Sequence, residues 1–137
     1  MSLQQFRAFP LPGLLPAQHR LVLNTFCSVL STYILTELAQ EGIVAQQMVT
    51  EHEMYALVVL LEAYPDYCPY EVLLAAISDV TIDQARQVLH QAIAHKTLAQ
   101  ELKSQRKLIS QCRAKLSLFH LDIRSVHGMG YVLAAKR

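Results

Sequence analysis

The last quarter of the chain changes from a helical pattern to a strand pattern, and this change constrains the fold more than any other feature. From Leu102 to Leu118 the apolar residues recur at helical spacing and share one side of a helical wheel. From Leu121 to Leu133 the segments are β-prone and flank a tight turn at Gly128-Met129-Gly130. The pattern predicts a helix followed by a small β-hairpin. The inward positions of the helix are Leu102, Leu108, Ile109, Cys112 and Leu116.

The charged residues of this helix gather on the side opposite its apolar residues. Residues 1–102 contain four basic and ten acidic residues, a net charge of −6, whereas residues 103–137 contain eight basic residues and one acidic residue, a net charge of +7. Because a solvated surface would normally carry both signs, this distribution predicts a surface that binds a polyanion. The residues on that side are Lys103, Arg106, Lys107, Ser110, Gln111, Arg113 and Ala114.

Composition and motifs exclude several other classes of protein. With 137 residues, 53% of them hydrophobic and 17% charged, the chain is long enough for one folded domain. The longest apolar run, Met54 to Leu61, is too short to span a membrane, and residues 1–15 lack the apolar core of a signal peptide. Cys27, Cys68 and Cys112 are too scattered for a disulfide framework or a thiolate zinc site. We therefore expect a soluble, cytoplasmic protein that does not contact membranes.

No pattern in the sequence favours an enzyme. His90 and His95 are spaced i,i+5 and do not share a helix face, and His52-Glu53 lacks the second histidine of a zinc-protease motif because position 56 is alanine. A glycine-rich phosphate loop and a nucleophile elbow are also missing. The sequence predicts a non-enzymatic protein with no catalytic residue, metal or cofactor, and Cys112 is expected to fill a core rather than to sense redox state.

The first third of the chain is read as an arm and an amphipathic helix. Residues 1–16 contain three prolines and predict an irregular arm. Residues 17–41 fit a helical template, with Gly42 where a glycine cap belongs, although their β-branched content argues for strands. The helical interpretation makes residues 17–47 a candidate dimerisation element, whereas the strand alternative stays open.

Three further helices are predicted between the arm and the basic helix. Thr50 and Glu53 have capping-box spacing and introduce a helix that runs to about Ala63. Pro69 can occupy the first turn of a short helix to about Ile77. A break at 79–81 precedes a helix over 82–94. Its expected inward residues are Ala85, Val88, Leu89 and Ile93.

Two segments together resemble the end of the OmpR/PhoB-type DNA-binding domain. Residues 109–116 read I-S-Q-C-R-A-K-L, close to the family pattern I-S-x-L-R-x-K-L, and residues 123–133 read I-R-S-V-H-G-M-G-Y-V-L, close to I-x-T-V-x-G-x-G-Y-x-L. Residues 49–53 also look like the family's L-T-x-x-E-F opening, and residues 68–74 look like its second helix. The resemblance covers roughly residues 48–134.

The resemblance implies a winged helix-turn-helix over residues 48–137 that binds double-stranded DNA as a homodimer and regulates bacterial transcription. RNA polymerase or another regulator is a further candidate partner. The basic helix would lie in the major groove and the hairpin would contact the neighbouring backbone. Five to seven phosphate contacts would give a log–log salt slope of about −4 to −6. The predicted DNA-binding residues are Lys103, Arg106, Lys107, Ser110, Gln111, Arg113, Ala114, Lys115, Arg124, His127 and Gly128.

The sequence departs from the family in four ways. It contains no phospho-receiver domain, the family's N-terminal strands are not evident, and residues 78–102 make the link to the basic helix longer than usual. His127 also stands where the family commonly has an arginine. The expected fold is therefore mainly α with a small C-terminal β-hairpin, a winged helix-turn-helix with an extra N-terminal amphipathic helix.

Two alternatives remain open. The helix over 82–94, rather than the one over 102–118, could enter the groove, because residues 73–89 also have helix-turn-helix spacing. The chain could alternatively be a winged-helix adaptor that binds another protein and not DNA.

Overall fold

The protein opens with a four-stranded antiparallel sheet. The computed structural model describes residues 6–35 and 41–137. The strands pair in chain order, so each strand lies beside the next one along the sequence. They are β1 (Phe6–Phe9), β2 (His19–Asn24), β3 (Val29–Leu35) and β4 (Glu41–Met48).

The predicted amphipathic helix over 17–41 is wrong, because this segment contains β2 and β3. Leu21 and Leu23 are fully buried and alternate with more exposed neighbours along β2, which is the period of a strand. Between the two strands the Asn24 side chain accepts hydrogen bonds from the backbone N–H groups of Phe26 and Cys27, and this holds the turn. The end of the predicted helix, at 36–40, lies outside the described residues.

The same sheet corrects the predicted structure of residues 6–35 and 41–47, whereas the predicted role of residues 17–47 in dimerisation stays a prediction. Residues 6–9 of the predicted irregular arm form β1, which pairs with β2 in the register Phe6↔Asn24 to Phe9↔Leu21. The segment 17–47 is not a separate helix, since Leu21, Leu23 and Leu30 share one hydrophobic core with the helices that follow. The sheet is therefore a layer of the domain and not an appendage to it.

Helix α1 (Glu51–Ala63) packs between this sheet and the rest of the molecule. It begins with the predicted capping box, in which the Thr50 hydroxyl accepts from the Glu53 N–H and the Glu53 carboxylate accepts from the Thr50 N–H. Leu57 and Leu60 are buried in the common core. Both the predicted start and the predicted end of this helix are confirmed.

The helices after α1 follow the sequence prediction closely. A second capping box, formed by Thr81 and Gln84, begins the third helix, and Asp79 ends the second one in the left-handed conformation. Ala85 and Leu89 are buried as predicted, but Val88 and Ile93 are 39% and 58% exposed and do not point into the core. The helices are α2 (Tyr70–Ser78), α3 (Ile82–Ala94), α4 (Leu98–Glu101) and α5 (Lys103–Leu116).

The chain ends in the predicted hairpin, which belongs to a three-stranded sheet. Strands β6 (Leu121–Val126) and β7 (Gly130–Ala135) pair with each other, and a two-residue strand β5 (Cys68–Pro69) pairs with β7 on the other side. A short 3₁₀ turn at Ser117–Phe119 connects α5 to the hairpin. Strand β5 thereby ties the hairpin to the start of α2.

The expected fold class, mainly α with a small C-terminal β-hairpin, is wrong. The described residues contain two antiparallel sheets of four and three strands together with five helices, so the fold is a mixture of α and β elements and not mainly helical. The sheet of residues 6–48 was missed because its pairing is not visible in local sequence patterns. Among the residues that the structure describes, the helices are too short or too polar to cross a membrane.

Candidate nucleic-acid interface

Helix α5 has one buried and one exposed side, as its sequence predicts. Leu108, Ile109, Cys112 and Leu116 are buried against the core. The exposed side is named here the polar face of α5. It consists of Lys103, Arg106, Lys107, Ser110, Gln111 and Ala114.

The cations of the polar face are free to meet an external partner. Lys103, Arg106 and Lys107 are exposed, and within residues 6–35 and 41–137 they form no ion pair. The sequence contains no acidic residue from position 103 to position 121. Their positive charge is therefore not neutralised along the helix, which favours contact with a polyanion.

Arg113 was predicted to contact DNA, but it holds the helix to the hairpin. Its Nε lies 3.1 Å from the Asp122 Oδ1, and its Nη2 donates a hydrogen bond of 2.6 Å to the Ile123 carbonyl. These two contacts join the second half of α5 to the first half of β6. Arg113 thus fixes the position of the hairpin relative to the polar face.

Lys115 is turned away from the predicted interface. It is half-buried, and its Nζ lies 2.6 Å from Oε1 of Glu53, a residue that is only 2% exposed. Burial pushes the pKa of the Glu53 carboxyl upward, but the hydrogen bonds from Lys115 and Thr50 and the charge of Lys115 outweigh it and lower the pKa overall. Lys115 therefore neutralises a buried carboxylate in the core.

Arg124 also has a partner within the protein. It is half-buried on β6 and donates a hydrogen bond of 3.3 Å to the Ala135 carbonyl across the hairpin. Arg113, Lys115 and Arg124 are thus basic residues with structural roles. The sequence could not separate them from the free cations, because their partners lie on other elements of the fold.

The turn of the hairpin projects His127 and Gly128 into solvent. Both residues are exposed, and Gly128 has a φ of 70°, a conformation that L side chains rarely adopt. Gly130 follows at the start of β7, where its backbone lies close to Cys68. The structure therefore places the two predicted wing residues at the tip of the hairpin.

A groove of about 320 Å³ lies between α5 and the hairpin. Its floor includes Tyr70 and Tyr131, whose rings meet edge to face with centroids 5.7 Å apart. This groove, named here the α5–hairpin groove, brings together residues from both predicted parts of the site. Its polar lining includes Arg106, Ser110, Arg113, Ser125, His127 and Gly128.

Sequence reasoning missed Tyr70 and Ser125 as residues of this groove. Tyr70 begins α2, and it reaches the groove because β5 pins that end of α2 to β7. No local signal identifies it. Ser125 could have been found, because it lies on the strand that the hairpin pattern predicts, one residue from the turn-proximal end of β6.

Helix α3, the alternative candidate for the recognition helix, is less suited to bind nucleic acid. Arg86, its basic residue, lies 3.3 Å from Asp83 on the same helix. The exposed residues of α3 also include apolar ones, with Ile93 at 58% exposure. A side that is apolar and charge-balanced attracts phosphate less strongly than the polar face of α5.

The described residues do not gather histidine, cysteine, aspartate or glutamate side chains into groups of three or more that could hold a metal ion. Burial raises the pKa of the Cys112 thiol to about 12, and burial also raises that of Cys68 to about 12, so both thiols stay protonated.

Comparison with protein-family models, with curated proteins and with solved structures finds no match to this chain.

Proposed function

We propose that this protein is a sequence-specific double-stranded DNA-binding regulator of transcription. In this proposal the polar face of α5 enters the major groove and the β6–β7 hairpin contacts the adjacent backbone. The observation that carries the proposal is the arrangement of Lys103, Arg106 and Lys107. They are exposed, unpaired within the described part of the chain, and carried on a helix beside a hairpin.

The division of labour on the polar face follows from side-chain chemistry. Lys103, Arg106 and Lys107 neutralise phosphates and release condensed counterions, which makes affinity fall with salt. Gln111 can make two hydrogen bonds to the edge of an adenine and so read sequence. The small side chain of Ala114 allows close approach of the helix to the bases.

The order of elements adds support to the resemblance with the OmpR/PhoB-type domain. Strands β1 to β4 precede the capping box of α1, at the place where that family has its N-terminal strands. The hairpin that follows α5 has the expected glycine turn. What still separates the chain from that pattern is the presence of α3 and α4 between α2 and α5.

A salt titration on duplex DNA tests the proposal. With about three phosphate contacts per protomer, the slope of log K against log salt is expected near −3, shallower than five to seven contacts would give. The double variant R106A/K107A should lose most of the affinity and reduce the steepness of the slope. The matched control is R86A, which removes a base from α3 and should leave both quantities unchanged.

The outcomes separate the proposal from its alternatives. Equal binding by wild type and R106A/K107A would move the interface away from α5, and loss of binding in R86A would place it on α3. If the protein binds no duplex DNA at any salt concentration but specifically binds one other protein, the adaptor function is favoured. Stoichiometry on selected sites tests the expected homodimer, whose half-sites should lie about one helical turn apart.

A further inference from the structure

Among the described residues, the lining of the α5–hairpin groove contains hydrogen-bond donors of both elements and no carboxylate. Arg106 and Ser110 come from α5, and Ser125 and His127 come from the hairpin. Asp122, the acidic residue nearest in sequence, does not line the groove and is held by Arg113. A cavity with this lining can donate hydrogen bonds to an oxyanion, whereas its described residues provide no carboxylate to bind a cation.

The two arginines play different parts in the groove. Arg113 is fixed by its Nε contact to Asp122 and its Nη2 contact to Ile123, and its side chain is still 47% exposed. Arg106 has no ion pair within the described residues and is exposed at the groove. Arg113 is thus engaged within the protein and shapes the groove, and Arg106 supplies the guanidinium that is free to bind an anion.

The floor of the groove supplies a further donor. Burial raises the pKa of Tyr131, and the nearby Tyr70 adds to the rise, whereas the charges of Arg106 and Arg113 oppose it. The Tyr131 hydroxyl therefore keeps its proton at neutral pH.

We propose that the α5–hairpin groove is a phosphate-binding pocket that takes one phosphate group between Arg106, Ser110 and His127. The volume of about 320 Å³ is large enough for a phosphate with part of the molecule that carries it. The phosphate has two possible sources. One is a backbone phosphate of DNA that passes between helix and hairpin, and this source rests on the proposed function. The other is a free phosphorylated molecule, which would compete with DNA for the groove.

The first arm of the test uses inorganic phosphate and the whole protein without DNA. At constant ionic strength maintained with chloride, phosphate should cause saturable amide chemical-shift changes at residues 106–113 and 125–128. R106Q should abolish the saturation, and S110A should weaken it. K103Q is the matched control, because it removes one charge from the same helix outside the groove, and it should leave the response unchanged.

The second arm measures DNA binding by the same variants. If the backbone phosphate of DNA occupies the groove, R106Q should weaken DNA binding by about tenfold more than K103Q does, because it removes a charge-assisted contact in addition to a charge. Inorganic phosphate should then displace DNA more strongly than chloride at equal ionic strength. If phosphate binds and R106Q affects DNA no more than K103Q, the pocket takes a free phosphorylated molecule.

The two proposals fail in different ways. Shifts that do not saturate, or that R106Q and K103Q alter equally, overturn the phosphate pocket even when the protein binds DNA. Saturable phosphate binding that R106Q removes, in a protein that ignores every duplex, supports the pocket and overturns the proposed DNA function. Thermal unfolding of each variant shows whether a loss of binding comes from a loss of folding.

Discussion

The Lys115 ammonium lies 2.6 Å from the Glu53 carboxylate, and this contact joins the end of the candidate recognition helix to the first turn of α1. Glu53 also closes the capping box with Thr50, so one buried carboxylate serves a helix start and a helix-to-helix contact together. Helix α5 is thereby fixed to the core at its carboxyl-terminal end, and the exposed side of its first half is left to meet a partner.

Lys115→Met should destabilise the protein by about 2 to 4 kcal/mol, because it leaves a buried carboxylate without its counter-charge. Urea unfolding followed by circular dichroism measures this loss. Lys107→Met is the matched control on the exposed side of the same helix, and it should change stability by less than about 0.5 kcal/mol. Equal effects of the two substitutions would contradict the role assigned to Lys115.

The Glu53 carboxyl should make the free energy of unfolding depend on pH in the acidic range. Its pKa is lowered from the ordinary value of 4.5 in the folded state, so its contribution is fully present above that value and is lost as pH falls through the folded-state pKa. Wild type and Glu53→Gln should therefore differ by a constant free energy of unfolding from neutral pH down to about 5, and the difference should shrink below it. Urea unfolding at a series of pH values measures the difference. If the difference between wild type and Glu53→Gln grows as pH falls, the lowered pKa of Glu53 in the folded state is contradicted.

Asp122→Asn separates positioning from charge at the interface. It removes a negative charge, so simple electrostatics predicts stronger DNA binding. Because Asp122 holds Arg113, and Arg113 holds the hairpin against α5, we expect weaker binding instead. Glu101→Gln is the control, since Glu101 is exposed and has no ion pair among the described residues. It should strengthen binding slightly, and a similar gain in Asp122→Asn would remove the positioning role.

Gly130→Ala should disrupt the contact between β5 and β7. A Cβ at position 130 would lie 2.0 Å from the Cys68 carbonyl oxygen, so the backbone would have to move. We expect a loss of more than about 2 kcal/mol, of the size seen when packing or strain is severe. Gly128→Ala has open space around it and a φ of 70°, and should cost only about 1 kcal/mol of backbone strain. Chemical denaturation of both variants tests the ranking.

The three cysteines should differ in reactivity. Cys27 is exposed in the turn between β2 and β3, whereas Cys68 and Cys112 are buried and their thiol pKa values are raised to about 12. A thiol reagent should modify Cys27 in the native protein and the other two only after denaturation. Mass spectrometry of the labelled peptides identifies the sites. Rapid labelling of Cys112 in the native state would mean that α5 detaches from the core.

The parts of the fold that the sequence predicts are those set by local signals. The capping-box spacing at Thr50 and the break at 79–81 mark two helix starts correctly, and Gly128 marks the hairpin turn. Strand pairing over residues 6–48 could not be predicted in this way. Leu21 and Leu23 on β2 share a side of the sheet with Leu30 on β3 because the two strands pair in a given register, and neither segment alone specifies that register.

In the candidate site, too, some features follow from local sequence signals and others depend on contacts between distant segments. The exposed cations near the start of α5 follow from helical period alone. Lys115 could not be recognised as internal, since its partner Glu53 lies 62 residues earlier in the chain. Arg113 is a similar case, because the contact with Asp122 depends on how the 3₁₀ turn returns the chain to the helix.

The pairing of β5 with β7 has a consequence for synthesis on the ribosome. Cys68 and Pro69 emerge early, but the strand that receives them is made some sixty residues later. Until then Cys68, which is fully buried in the folded protein, lacks the strand that pairs with it, and the hydrophobic core of the nascent chain stays incomplete. A premature stop before position 130 would therefore remove more than a surface loop. It would leave β5, in the middle of the chain, without the strand with which it pairs.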